Sequence, residues 1–449
     1  MYLYWKIKIN MMKKIYFLLL PIFAFSQGYT SYFTGNTTNI TTTPEFGVCM
    51  MGGATENDNA MRWLLQKANG GDVVVLRSTG TNGYNDYLYS GLGVSVNSVE
   101  TLVITSAAGA IDPYVLNKVA NAEMIWFAGG NQWDYISYFK DNALEVLLNN
   151  HVNIKHAPIG GTSAGMAILG GRYYTAQNGS VTSAQAMANP YASNVTLAGY
   201  SGATLPQTDF LNIPFLGNII TDTHYDNPDR RGRHIAFIAR FMKDYGTNVY
   251  GIACNEYTAV CIGSDGIARV YGDYPTYQQF AYFIQPNCLW WNSIENCQAG
   301  QPLTWNFGGE ALKVYKVPGT MNGTNYFDLN GWGNWGSPNY SGGSWENWSV
   351  NNGIFSTAPG TGLSPSCALS VGENELNRFN VLPNPFSNYI SLKNAENAMV
   401  EIYDSLGKRV FGAENLISET INTSNFSNGL YFVKIQKDGK IETKKLVKN

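Results

Sequence analysis

The stretch Gly160-Gly161-Thr162-Ser163-Ala164-Gly165-Met166 follows the apolar-leaning segment Ile154 to Ile159 and leads into a predicted helix, Ala164 to Leu169. Its core is G-x-S-x-G between a strand and a helix, the context in which that pattern has mechanical meaning. A sharp strand-to-helix turn forces the serine outward. Its neighbours must be small, because a side chain there would clash or block approach. The serine also lies at a helix N-terminus, where free N–H groups and the helix dipole favour negative charge. Ser163 is therefore a candidate nucleophile.

Outward from this turn, residues 45 to 330 alternate strand and helix patterns. Phe46 to Met51 is an apolar run ending in Gly52-Gly53. A helix follows with Ala60, Trp63, Leu64 and Ala68 on one face. Asp72 to Leu76, Thr101 to Thr105 and Met124 to Ala128 read as buried strands, the last stopping at Gly129-Gly130, and Tyr114 to Asn121 reads as a helix. Strands that are apolar throughout and separated by helices predict an α/β fold, a mostly parallel sheet with helices on both faces. Ligands bind such sheets at the strand C-terminal ends. The turns Gly52-Gly53, Gly129-Gly130 and Gly160-Gly161 fall there.

A serine nucleophile needs a base, and the chain has only four histidines: His151, His156, His224 and His234. His151 and His156 precede the elbow strand, and His156 would lie near its start, at the sheet end opposite the nucleophile. His234 falls in a predicted helix, His234 to Tyr245. His224 stands in Ile219-Ile220-Thr221-Asp222-Thr223-His224-Tyr225, where an apolar strand gives way to a polar loop, so it emerges at the correct end. The imidazolium formed during attack needs an orienting acid. Glu256 ends the strand Val249 to Asn255, in an apolar setting that demands pairing. Asp222 is its rival, but two residues from His224 on extended backbone it faces the ring poorly, and it is assigned to substrate binding. The backbone N–H groups of Ala164 and Gly130 are the expected oxyanion donors. Gln132 is placed to hydrogen-bond substrate, and at least one of Arg230, Arg231 and Arg233 to clamp a carboxylate.

The whole chain has 449 residues, 45% hydrophobic and 14% charged, with a net charge of −3. That allows two or three domains and gives no case for nucleic acid. Met12-Lys13-Lys14 and the apolar run Ile15 to Ser26 read as a signal peptide cleaved before Gln27, with residues 1–11 upstream of the true start. The run is too short for a comfortable membrane span. Six cysteines allow 15 full pairings; Cys288 with Cys297 is the best local pair, and Cys49, Cys254 and Cys261 read as buried thiols. No zinc spacing occurs, and neither metal nor cofactor is expected. The expected domains are a catalytic domain over 27–330, a Gly/Asn/Trp-rich linker or extension over 331–376, and a small all-β sandwich over 377–449.

Four ordered motifs carry a resemblance. Gly129-Gly130-Asn131-Gln132, Gly161-Thr162-Ser163-Ala164-Gly165, Asp222-Thr223-His224-Tyr225 with trailing arginines, and Asn255-Glu256-Tyr257-Thr258-Ala259 resemble the cyanophycinases and dipeptidase E-like serine peptidases. The resemblance implies a class I glutamine amidotransferase-like, flavodoxin-like fold. It implies Ser163, His224 and Glu256 as nucleophile, base and orienter, and acyl-enzyme hydrolysis of small peptides, often at aspartate. Thr223 and Pro228 depart from the cyanophycinase pattern at a glutamine-type and an arginine position, which puts cyanophycin itself in doubt as substrate; Met166 stands where alanine is usual. The C-terminal segments Leu382 to Phe386, Asp404 to Lys408, Asn428 to Val433 and Lys444 to Lys448 resemble the type A sorting domain of the Bacteroidetes type IX secretion system. That implies the secretion machinery as a partner and a secreted or cell-surface protein. A homodimer is compatible with the sequence. The competing reading is a non-catalytic binding protein using the aromatic-rich segment 277–348 for glycans. A cysteine-dependent amidotransferase activity is excluded by serine at the elbow.

Overall fold

Along the buried strand Gly47–Met51, Val48 and Met50 face one layer of side chains while Cys49 and Met51 face another. The computed structural model that reveals this describes residues 27–199, 209–287, 294–332, 339–360, 379–437 and 440–449. The expected signal segment, Cys288 and Cys367 lie outside them. The described residues form two units, one within Met1–Cys367 and one within Ala368–Asn449.

In the first unit the strands in chain order are β1 (Tyr29–Gly35), β2 (Gly47–Met51), β3 (Asp72–Arg77), β4 (Ser98–Ile104), β5 (Met124–Phe127) and β6 (Ile159–Thr162). A short ribbon, β7 (Tyr173–Tyr174) with β8 (Leu197–Ala198), precedes β9 (Ile219–Asp222) and β10 (Tyr250–Cys254). Then come β11 (Ala259–Gly263), β12 (Ile267–Tyr271), β13 (Phe280–Pro286), β14 (Leu312–Pro318), β15 (Asn325–Asp328), β16 (Tyr340–Ser341), β17 (Ser344–Asn351) and β18 (Ile354–Pro359).

Ten of these form one sheet in the order β1-β4-β3-β5-β6-β2-β11-β12-β15-β16. Only the run β4-β3-β5-β6-β2 is parallel; β1 and the four strands beyond β2 pair antiparallel. The expectation of a mostly parallel sheet is thus corrected to a mixed one. The helices Pro113–Asn121 and Ala143–Asn153 cover one face and Asp58–Gln66 the other. Each helix starts as its sequence dictates. Asn57, Asp112 and Asn142 accept hydrogen bonds from the N–H groups of Ala60, Tyr114 and Leu144, satisfying first-turn donors that the helix itself leaves open.

A second sheet, β18-β17-β14-β13-β10-β9, is antiparallel except for β9 with β10. The helix Arg231–Tyr245 packs on it, and Gly246 ends that helix at φ 61°, a left-handed cap that glycine adopts without a Cβ clash. Ile252, Cys254, Ala281 and Phe283 join the core of the first sheet, so the two sheets share an interior.

Part of the segment 331–376, expected as a linker or extension, is strand. Tyr340–Ser341 extends the first sheet, and Ser344–Asn351 and Ile354–Pro359 extend the second. Trp305 and Trp348, from the aromatic segment offered as a glycan surface, are fully buried. Cys49, Cys254, Cys261 and Cys297 are free buried thiols. In the second unit, a three-stranded and a four-stranded sheet enclose Ile390, Leu392, Val400, Ile402, Val433 and Ile435. Among the described residues no helix is long and apolar enough to cross a membrane.

Candidate active site

Ser163 directly follows β6 and stands at φ 51°, ψ −116°, a conformation that side-chain-bearing residues seldom adopt. The glycines around it are forced by contact. A Cβ on Gly161 would sit 2.5 Å from the Gly165 backbone, and one on Gly165 would sit 2.2 Å from the Phe127 carbonyl oxygen. The elbow therefore closes only with small residues at both positions. The helix behind it runs Ala164–Ala167, one turn, shorter than expected.

Ser163 Oγ lies 2.8 Å from His224 Nε2, and His224 Nδ1 lies 2.7 Å from Glu256 Oε1. The second carboxylate oxygen of Glu256 accepts from Asn227 Nδ2 at 3.4 Å, and its backbone N–H donates to Asp226 Oδ1 at 3.0 Å. The hydrogen bond from the imidazole, helped by Asn227, holds the Glu256 carboxyl below the usual carboxylate range despite partial burial. The nucleophile comes from the first sheet. The histidine and glutamate follow β9 and β10 of the second, so the three meet between sheets rather than along one sheet's rim.

The remaining histidines are otherwise engaged. His151 is buried with Nε2 on the Pro158 carbonyl at 3.0 Å, and His234 is buried between the Tyr225 hydroxyl and the Ile220 carbonyl. Burial pushes both imidazoles down to about 4. His156 is exposed.

A cleft of about 420 Å³ opens beside Ser163 and His224, lined also by Gly130, Gln132, Ala164, Thr223, Arg230 and Arg233. Gln132 Nε2 donates to the Tyr174 carbonyl at 3.0 Å, so this donor is committed to the wall. Asp222 is turned away from the expected substrate role. It is buried and takes two bonds from Arg233, Nε to Oδ2 at 2.8 Å and Nη2 to Oδ1 at 2.5 Å. Burial opposes its ionisation, but the Arg233 charge outweighs that and keeps the carboxyl below its ordinary range. Arg233 also donates Nη1 to the Val181 carbonyl, which commits its guanidinium to the wall. Arg230 is held loosely, with Nη1 at 3.5 Å from Thr223 Oγ1 and 3.9 Å from Asp222, and its buried Nε has no partner. Burial, then the like charge of Arg233, lowers its pKa. Asn227, Asp226 and Tyr174 were not among the residues expected; Asn227 and Asp226 lie in a loop, and Tyr174 in the two-residue strand β7, neither of which sequence periodicity encodes. Among the described residues, no three His, Cys, Asp or Glu side chains gather into a metal-binding group.

The stretch 81–270 holds all three members of the hydrogen-bonded chain. It matches peptidase family S51. Residues 380–449, within the second unit, match the secretion system C-terminal sorting domain. Cyanophycinases of Synechococcus elongatus and Thermosynechococcus vestitus are each 26% identical over 211 residues, 47% of this chain. The alignment spans 56% of the length of each of these relatives. Among solved structures, a peptidase from an acI-B1 Actinobacterium aligns at 14% identity with a TM-score of 0.36, covering 51% of this chain and 89% of its own. A putative peptidase E protein from Listeria monocytogenes aligns at 15% and 0.32, covering 50% and 97%. The S51 match begins at residue 81, downstream of β2 and the Gly52-Gly53 turn.

Proposed function

We propose that this chain is a secreted serine exopeptidase, similar to the cyanophycinases, that hydrolyses small peptides bearing a carboxylate. The observation that carries the reading is the hydrogen-bonded chain from Ser163 through His224 to Glu256. Ser163 Oγ attacks the scissile carbonyl carbon as its proton passes to His224 Nε2. Glu256 fixes the ring tautomer and stabilises the imidazolium. The carbonyl oxygen becomes an oxyanion facing the N–H groups of Ala164 and Gly130, each donor contributing on the order of 3 kcal/mol. The intermediate collapses, the amine leaves with the proton from His224, and an acyl-serine remains. Water, activated by the same imidazole, then frees the acid and restores the serine.

Arg230 is the substrate's counterion in this reading. Its loosely held guanidinium edges the cleft, whereas the Arg233 charge is neutralised by Asp222. Arginine matches a carboxylate with paired N–H groups, which suits an aspartyl side chain or terminal carboxylate. The catalytic domain spans 27–330 with its added strands from 340–359, and the sorting domain serves the type IX machinery. The test is hydrolysis of aspartyl dipeptides by the native protein and by Ser163→Ala. Turnover lost with secondary structure retained supports the reading; equal turnover in both removes Ser163 from the mechanism.

A further inference from the structure

Three successive carbonyls at the end of β2 each accept a backbone N–H from a segment that carries one member of the catalytic chain. Ser163 N donates to Met51 O at 3.1 Å, His224 N to Gly52 O at 2.7 Å, and Tyr257 N to Gly53 O at 3.1 Å. Tyr257 directly follows Glu256. All three donors have positive φ, 51° at Ser163, 45° at His224 and 61° at Tyr257. Such backbone costs on the order of 1–3 kcal/mol per non-glycine residue and persists only where its surroundings fix it. Each of these N–H···O bonds supplies that fixing. The Gly52 N–H donates in return to the Thr258 carbonyl at 3.0 Å, tying the turn to the acid's loop from both sides.

The same turn is bare where the imidazole and the acid loop press on it. Gly53 is buried at φ 111°, and a Cβ there would sit 2.4 Å from Cε1 and Nε2 of His224. A Cβ on Gly52 would sit 2.0 Å from the Asn255 carbonyl oxygen. β2 lies between β6 and β11 in the first sheet, while His224 and Tyr257 follow strands of the second.

We propose that Met51-Gly52-Gly53 is the positioning element of the site. Its carbonyls set the nucleophile of one sheet in register with the base and acid of the other. Its glycines leave the imidazole room to reach Ser163. These three residues act through the triad and not on substrate. The inference rests on the catalytic reading of Ser163, His224 and Glu256.

The test compares Gly53→Ala with Gly93→Ala in the full chain. Gly93 has φ 70° and open space where a Cβ would point, so it carries a positive-φ backbone penalty without the imidazole contact. On an aspartyl dipeptide, Gly53→Ala should lose about 100-fold in kcat with KM within about threefold, the signature of misplaced reacting groups. Gly93→Ala should retain the native constants. A Gly53→Ala kcat near the native value, or equal losses in both variants, overturns the proposal. A native protein that fails to cleave the peptide overturns the catalytic reading, and this inference with it. Should Gly53→Ala not fold, amide exchange in the native protein decides. The Tyr257 side chain is exposed, yet its N–H should exchange at least about 100-fold more slowly than a free amide, as a closed hydrogen bond requires. Exchange at the free rate overturns the proposal.

Discussion

Asp222 and Arg233 neutralise each other in the wall of the cleft, joined by two hydrogen bonds at 2.8 and 2.5 Å. The pair separates two arginines that look equivalent in the sequence. Arg233 is spent on structure. Arg230, seven residues beyond Thr223, keeps a guanidinium edge toward the cleft.

Replacing Arg230 by Gln should therefore weaken acidic substrates selectively. A charge-assisted bond lost from a partly buried site is worth about 1.5–3 kcal/mol, or about 10- to 150-fold in kcat/KM, carried mostly by KM. A neutral analogue of the same dipeptide should change little. Steady-state kinetics on the matched pair measures this, and equal losses on both peptides would remove Arg230 from recognition.

Arg233→Ala should act on folding instead. It leaves the buried Asp222 carboxylate with only the 3.9 Å contact to Arg230 as a charge partner, which costs up to about 3–5 kcal/mol. The double variant Asp222→Asn with Arg233→Met should recover part of that loss. Urea unfolding of the two variants gives the comparison.

That Ser163, His224 and Glu256 come within hydrogen-bond reach of one another was legible because each rests on a local signal. Small residues flank Ser163, His224 stands where a strand turns polar, and Glu256 ends an apolar run. The sheet's direction was not legible. All five positions of Ala259–Gly263 are buried, as in a parallel strand, yet this strand pairs antiparallel on both sides. Burial on both faces erases the alternation that normally marks antiparallel strands. The fate of Asp222 was equally hidden, since a salt bridge to Arg233 depends on where a helix docks. Segment 331–376 reads as a linker or extension because its Gly and Asn content masks Trp348 and Val350, which are buried in the core of the second sheet as part of its strand β17.

Acid should destabilise the first unit through His151 and His234. Unfolded, both imidazoles take up protons near pH 6.5. Folded, burial holds them to about 4. Between these values the unfolded chain binds more protons, so stability rises with pH and is lost as pH falls from about 6.5 toward about 4. The slope is up to about 1.4 kcal/mol per pH unit for each histidine. The lowered carboxyls of Asp222 and Glu256 add losses only further down, below about pH 4. Denaturant midpoints across this range should show a shallower slope in His151→Gln.

Glu256→Gln keeps the shape of the acid while removing its charge. The imidazolium then loses its stabilising partner and the ring its fixed tautomer, so kcat should fall by about 10³–10⁴ with KM little changed. Pre-steady-state kinetics should show slowed acylation.

The most direct measurement is peptide mapping by mass spectrometry after exposure to a serine-directed fluorophosphonate. The account requires a covalent adduct on Ser163 in the native protein and its loss in His224→Ala, because the hydroxyl is activated through the 2.8 Å contact with that ring. An unlabelled Ser163, or equal labelling without the histidine, would contradict it.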